Sequence, residues 1–142
     1  MINITVVAAG NLKEAHFRAA AAEYIKMLSA FARVTVTEVA DDTARIIAAI
    51  PERAYKIALC VEGAEMSSEE FASRLERLAT DGNSSFVFII GGSDGLDEKI
   101  KKMCGLRLSF SPMTFPHRLM RVILLEQIYR AYTIINNKTY HK

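Results

Sequence analysis

Strand-like and helix-like hydrophobic patterns alternate along the whole of this chain. Short apolar runs rich in β-branched residues predict strands over residues 2–8, 33–39, 56–61, 85–90 and 106–110. Apolar residues at helical spacing predict helices over residues 12–31, 41–50, 67–81, 97–103 and 117–135. This order predicts an α/β fold with a mainly parallel sheet and helices on both faces, in one domain over residues 1–142.

The last predicted helix is apolar on almost every side. Its main apolar arc consists of Met120, Leu124, Leu125, Ile128, Ala131, Tyr132 and Ile135. Its opposite side carries a second apolar set, Leu119, Val122, Ile123 and Ile134. Such a helix in a small domain predicts burial against both the sheet and a second copy, so we expect a homodimer. Arg121 falls within the main arc, which indicates either an ion pair, for example with Glu126 of the partner subunit, or a contact with an anion or substrate.

Three loops are predicted at the carboxyl ends of neighbouring strands, where open parallel sheets bind ligands. They are Glu62-Gly63, the sequence GGSDGL from Gly91 to Leu96, and the sequence SPMTFPH over residues 111–117. The glycines allow close backbone approach or positive φ, and the two prolines stiffen an unusually apolar loop. Neither a phosphate-binding loop nor a dinucleotide fingerprint is present, which disfavours ordinary binding of NAD or ATP.

Composition and charge narrow the class of protein. The chain is 51% hydrophobic and 24% charged, which is typical of a globular protein. Its net charge of +2 does not by itself indicate a strong electrostatic hold on nucleic acid, and a local basic patch stays an open alternative. No apolar run approaches the ~20 residues that span a bilayer, and no basic leader is evident, so we expect a cytoplasmic location without membrane contact. Cys60 and Cys104 predict reduced thiols, and no Cys/His spacing predicts a metal site.

The C-terminal sequence NNKTYHK is short, basic and aromatic. No nucleophile motif stands elsewhere in the chain, which disfavours covalent hydrolytic catalysis. Disorder is one interpretation of such a tail. In the other, Tyr140 stacks on a base, His141 exchanges a proton near neutral pH, and Lys138 and Lys142 contact phosphate. That combination favours RNA over a small metabolite.

Several motifs in order resemble one known family. They are INITVVAAGNLKE, EYIKML, FVFIIGGSDGL, LSFSPMTFPHRLMRVILLEQIYRAYTI and the terminal YHK. Together they cover essentially the whole chain and resemble the bacterial RlmH family, once called YbeA, of 23S ribosomal RNA pseudouridine-N3 methyltransferases. The resemblance implies a SPOUT-type fold with a C-terminal trefoil knot.

The resemblance also implies an S-adenosylmethionine pocket and catalytic residues. The residues implied to line this pocket are Leu59, Gly91, Phe110, Ser111, Pro112, Met113, Thr114 and Phe115. His141 is implied as the group nearest the proton transfer and Tyr140 as the residue that positions the base or the tail, both beside the partner's pocket. His117 is expected to cap or orient the last helix, and Arg121 and Arg130 to contact RNA or the partner subunit.

The activity implied is methyl transfer to N3 of a pseudouridine in 23S ribosomal RNA within the assembled ribosome, by a homodimer and without a metal. The segment between Val39 and Ile46 is shorter than the family leads us to expect. Two alternatives remain: a non-catalytic ribosome assembly factor that binds S-adenosylmethionine or a nucleotide, and a flavodoxin-like nucleotide-binding domain. Removal of residues 140–142 would leave the function of such an assembly factor intact, whereas it would abolish methyl transfer.

Overall fold

The computed structural model describes residues 1–140, in which five strands and five helices alternate. In chain order they are β1 (Ile2–Ala9), α1 (Ala15–Leu28), β2 (Ala32–Val39), α2 (Thr43–Ala49), β3 (Tyr55–Glu65), α3 (Ser68–Thr80), β4 (Ser85–Ile90), α4 (Glu98–Lys101), β5 (Leu106–Ser109) and α5 (His117–Ile135). Each predicted element is present. The largest difference at any one end is in β3, which continues to Glu65 rather than ending at Val61.

The five strands form one parallel sheet in the order β2-β1-β4-β3-β5. Successive strand residues point to opposite faces, as the period of a strand requires. Val6 and Phe88 face a core shared with α1, α3 and α5, whereas Val7 and Ile89 face a second core shared with α2 and α4. The parallel sheet with helices on both faces is therefore confirmed.

The pairing of β3 with β5 is interrupted by a bulge. Both Leu59 and Ala64 pair with Leu108, so the intervening residues 60–63 leave the ladder at its carboxyl end. A β-carbon on Gly63 would lie 2.7 Å from the carbonyl carbon of Arg107, a contact too close for any residue but glycine. Because the pairing resumes at Ala64 after the bulge, the strand extends beyond Val61, where the apolar sequence pattern ends. The trefoil knot implied by the resemblance stays a prediction.

Helix α5 packs on the sheet through the predicted apolar arc. Fully buried positions on this arc are Leu124, Leu125, Ile128, Ala131 and Tyr132. Contacts with both α1 and α3 hold the helix in the middle of one helical layer. Leu119, Val122 and Ile123, on the other side, are only half-buried.

Arg121 is buried within this arc, with 3% of its side chain exposed. It pairs with Glu38 at the end of β2, and its Nη2 donates to the carbonyl oxygen of Gly10 at 3.0 Å. Burial alone would raise the pKa of Glu38, but hydrogen bonds from Arg121 and from the backbone N–H of Leu12 lower it below its usual value. The predicted ion pair of Arg121 is therefore confirmed, but its partner is Glu38 of the same chain rather than Glu126 of the partner subunit. Glu126 pairs instead with Arg130 of its own chain.

We predict an asymmetry between the two partners of the Arg121 ion pair. Glu38→Ala leaves a guanidinium that water cannot reach, which we expect to lower the free energy of unfolding by about 3 kcal/mol. Arg121→Met leaves Glu38, whose side chain is 37% exposed and can be hydrated, so we expect a loss on the order of 1 kcal/mol. Urea denaturation of both variants measures the difference. A larger loss for Arg121→Met would contradict this account of the pair.

Candidate active site

A cavity of about 670 Å³ opens at the carboxyl ends of β3, β4 and β5. Its walls are residues 59–62 from the bulge of β3, residues 90–96 after β4, and residues 108–111 and 113–117 after the start of β5. Lys101 of α4 and Met120 of α5 complete the lining. The three segments that the sequence predicts to converge do so, because parallel strands end at one edge of the sheet. Glu62-Gly63, however, is a bulge within β3 rather than a loop that follows it.

The loop after β4 is a tight turn closed by its own glycines. The backbone N–H of Gly95 donates to the carbonyl oxygen of Gly92 at 3.0 Å, and Gly95 has a φ of +74°. A β-carbon on Gly91 would lie 2.5 Å from the carbonyl oxygen of Gly95. Glycine is therefore required at position 91 because the loop packs against its own backbone there, and this packing shapes one wall of the cavity.

The loop over residues 111–117 is held by local hydrogen bonds as well as by its prolines. The hydroxyl of Ser109 donates to the carbonyl oxygen of Ser111 at 3.1 Å, and the Ser111 hydroxyl accepts from the backbone N–H of Met113 at 2.9 Å. Pro116 ends the loop, and its carbonyl oxygen accepts the first bond of α5 from Met120. The loop is thus shaped before any ligand binds, while the Met113 side chain stays 73% exposed.

Most residues of the predicted cofactor site lie around this one cavity. Those that line it are Leu59, Gly91, Phe110, Ser111, Met113, Thr114 and Phe115. Pro112 lies within the same loop but is exposed and does not line the cavity. That these residues bind a cofactor stays a prediction.

Sequence reasoning missed several lining residues, including Cys60, Lys101 and Met120. Lys101 pairs with Glu62 across the edge of the cavity, and this hydrogen bond raises the pKa of Lys101 and lowers that of Glu62. Burial raises the pKa of the Cys60 thiol, which keeps it protonated at neutral pH. Glu62 belongs to one of the three predicted loops, whereas only the bulge in β3 brings Cys60 to this wall, and no sequence pattern indicates that bulge.

The structure describes only one of the two predicted catalytic residues. Tyr140 does not line the cavity but packs against α5 of its own chain, so the disordered interpretation of the tail is wrong at this residue. His141 lies outside the described residues. His117 is the first residue of α5 and lines the cavity. Within the described chain no side chain caps this helix, so the predicted capping role is wrong, while the alternative that His117 orients the helix stays a prediction.

Two further features bear on the kind of site. Within residues 1–140, His, Cys, Asp and Glu side chains nowhere gather in a group of three or more that could hold a metal ion. Among the helices of the same residues, none combines the length and apolar character needed to cross a membrane.

Known proteins resemble this chain over its whole length. Residues 2–141 match the family described as "Predicted SPOUT methyltransferase". Proteins named "Ribosomal RNA large subunit methyltransferase H" are 45% identical in Listeria monocytogenes and 44% identical in Bacillus thuringiensis, each alignment covering 99% of this chain and 100% of the relative. The solved structure of a probable methylase family protein from Haemophilus influenzae Rd KW20 matches with a TM-score of 0.57 and 13% identity, over 99% of this chain and 70% of that chain.

The chain therefore belongs to the SPOUT methyltransferase family, and within it to the group of the relatives named ribosomal RNA large subunit methyltransferase H. The solved structure supports the fold alone, because its sequence identity is low. The alignment with the Listeria protein spans 159 positions, whereas this chain has 142 residues, so the relative carries residues that this chain lacks. That they fall between Val39 and Ile46 stays a prediction.

Gly91→Ala tests whether the self-packed loop shapes the cavity. The added methyl group would meet backbone rather than a flexible side chain, so we expect a loss of about 2 kcal/mol in the free energy of unfolding. We also expect weaker binding of S-adenosylmethionine, measured by calorimetry. Ser84→Ala, before the other end of β4, is the control and should change neither quantity. Wild-type affinity in Gly91→Ala would show that this loop does not form the ligand wall.

Proposed function

We propose that this protein transfers a methyl group from S-adenosylmethionine to N3 of a pseudouridine in 23S ribosomal RNA, with the assembled ribosome as its substrate. The observation that carries the proposal is the cavity at the carboxyl ends of β3, β4 and β5, in a chain whose relatives are named ribosomal RNA large subunit methyltransferase H. The particular base and the state of the ribosome come from the resemblance of the motifs to the RlmH family.

The cavity fits S-adenosylmethionine in size and in the chemistry of its walls. A volume of about 670 Å³ lies within the range of small-ligand sites, ~300–1,000 Å³. Phe110 and Phe115 supply apolar surface suited to burying a flat base, and the backbone of the loop over residues 111–117 supplies polar groups suited to reading its edge. When bound, S-adenosylmethionine would supply a methyl group already activated by its sulfonium.

The chain's own residues then have two tasks. The rigid cavity has to hold donor and acceptor in line, because correct orientation of the reacting groups removes much of the free-energy barrier to a transfer of this kind. A base has to accept the N3 imide proton of the pseudouridine. Glu62 is paired with Lys101 and the Cys60 thiol has a raised pKa, so neither is suited to accept a proton at neutral pH.

We assign the proton transfer to His141, because histidine is the side chain whose ordinary pKa lies closest to neutral pH. The residue follows Tyr140 directly, and Tyr140 packs away from the cavity of its own chain. A tail of this kind is suited to the cavity of a partner subunit. The half-buried apolar side of α5, formed by Leu119, Val122 and Ile123, supports a homodimer that would bring the two together.

Recognition of RNA would then depend on surface assembled across the dimer. The net charge of one chain is only +2, which is too small to hold a large RNA by overall attraction. Two copies and the shape of the ribosome would have to supply the remaining specificity. This proposal accords with action in the cytoplasm, where ribosomes are found.

The proposal predicts methyl incorporation into ribosomes. Purified protein, labelled S-adenosylmethionine and ribosomes from cells that lack this protein should give about one labelled methyl group per large subunit, located in 23S RNA as methylpseudouridine. Cofactor binding without transfer at saturating cofactor would contradict the proposal and support a non-catalytic assembly factor.

A pair of histidine variants tests the proposed base within the same assay. His141→Ala should lower kcat by about 100-fold or more, while the affinity for S-adenosylmethionine stays near that of the wild type. His16→Ala, an exposed position on α1, is the matched control and should retain wild-type kcat. Equal kcat values in the two variants would exclude His141 as the base.

A further inference from the structure

The end of the described chain turns back onto the helix that precedes it. After α5 the backbone reverses at Asn137, whose φ of +54° is the one positive value at a non-glycine residue within residues 1–140. The backbone N–H of Lys138 donates to the carbonyl oxygen of Thr133 at 2.8 Å, which closes the reversal. Tyr140 is thereby brought alongside the middle of α5.

Tyr140 is held on α5 by three different kinds of contact. Its hydroxyl donates to Oε2 of Glu126 at 3.1 Å. Its ring meets that of Tyr129 edge-on, with centroids 4.8 Å apart. The guanidinium carbon of Arg130 lies 4.7 Å from the centre of the same ring, within the range of a cation–π interaction.

The residues that hold Tyr140 are themselves fixed. Nε of Arg130 donates to Oε2 of Glu126 at 3.1 Å, so one carboxylate oxygen serves both Arg130 and Tyr140. The other carboxylate oxygen accepts from Gln127 at 2.8 Å, and Gln127 in turn accepts from the hydroxyl of Ser68 on α3 at 2.6 Å. The contacts therefore link the tail to two helices rather than to one flexible side chain.

We propose that Glu126 and Arg130 are positioning residues for methyl transfer, which hold Tyr140 and so orient the covalently attached His141. This inference rests on the proposed function. It assigns Arg130 to the tail of its own chain rather than to RNA or to the partner subunit. It also makes Tyr140 a positioning residue, because its hydroxyl is already committed to Glu126.

The Tyr140 hydroxyl is in any case a poor acid or base near neutral pH. Burial, followed by hydrogen bonding to Tyr24 and Glu126, raises its pKa above the usual value for tyrosine. An anchor is needed at this position because residues near a chain end otherwise fray, and misplacement by about 1 Å can cost ~100-fold in rate.

The kinetic test compares Arg130→Met and Tyr140→Ala with Arg77→Met, an exposed arginine in the last turn of α3 that serves as the matched control. We expect both anchor variants to lower kcat by about 100-fold with the KM for S-adenosylmethionine within about twofold of wild type, and the control to match wild type. Tyr140→Phe keeps the ring contacts and should lose less than Tyr140→Ala. The double variant should be no slower than Tyr140→Ala, since both changes act on one anchor.

A second measurement does not depend on activity. Carboxypeptidase digestion should leave Tyr140 in place in the wild type and in Arg77→Met, but should remove Tyr140 and continue into the chain in Arg130→Met. Intact-mass measurement of the digested proteins shows the difference. If Arg130→Met is trimmed no further than wild type and keeps its kcat, the inference is wrong. If wild-type protein shows this protection but transfers no methyl group, the anchor exists and the proposed function fails.

Discussion

One buried ion pair constrains how α5, packed through its apolar arc, is placed on the sheet. Arg121 is held by Glu38 and by the carbonyl oxygen of Gly10, which ties the start of the helix to the carboxyl ends of β1 and β2. A guanidinium this deeply buried is stable only where its partners are fixed, so the pair demands a particular seating of the helix. The loop over residues 111–117 leads into α5 at His117, four residues before Arg121, so the position of the helix also fixes the end of this loop.

Both candidate parts of the site are therefore connected through α5. Its first turn supplies His117 and Met120 to the cavity, while its middle carries Glu126, Tyr129 and Arg130, which hold Tyr140. In a homodimer of the kind proposed, one helix would shape its own cofactor cavity and direct its tail to the other.

Much of the fold was predictable because the signals were local. Short apolar runs and helical spacing located every strand and helix, and α5 begins and ends where its apolar arc predicts. The bulge at residues 60–63 was not predictable, because it depends on the close approach of Gly63 to Arg107 in another strand. For the same reason the sequence could not reveal Cys60 and Lys101 at the cavity, or the pairing of Arg121 with Glu38. These contacts join residues far apart in the chain, and periodicity carries no information about them.

The most direct test of the central claim is nucleoside mass spectrometry of 23S ribosomal RNA from cells with and without this protein. The account predicts that methylpseudouridine is present in the parent strain, absent after deletion, and restored by the wild-type protein. Restoration should fail with His141→Ala at equal protein levels. An unchanged amount of methylpseudouridine in the deletion strain would contradict the account.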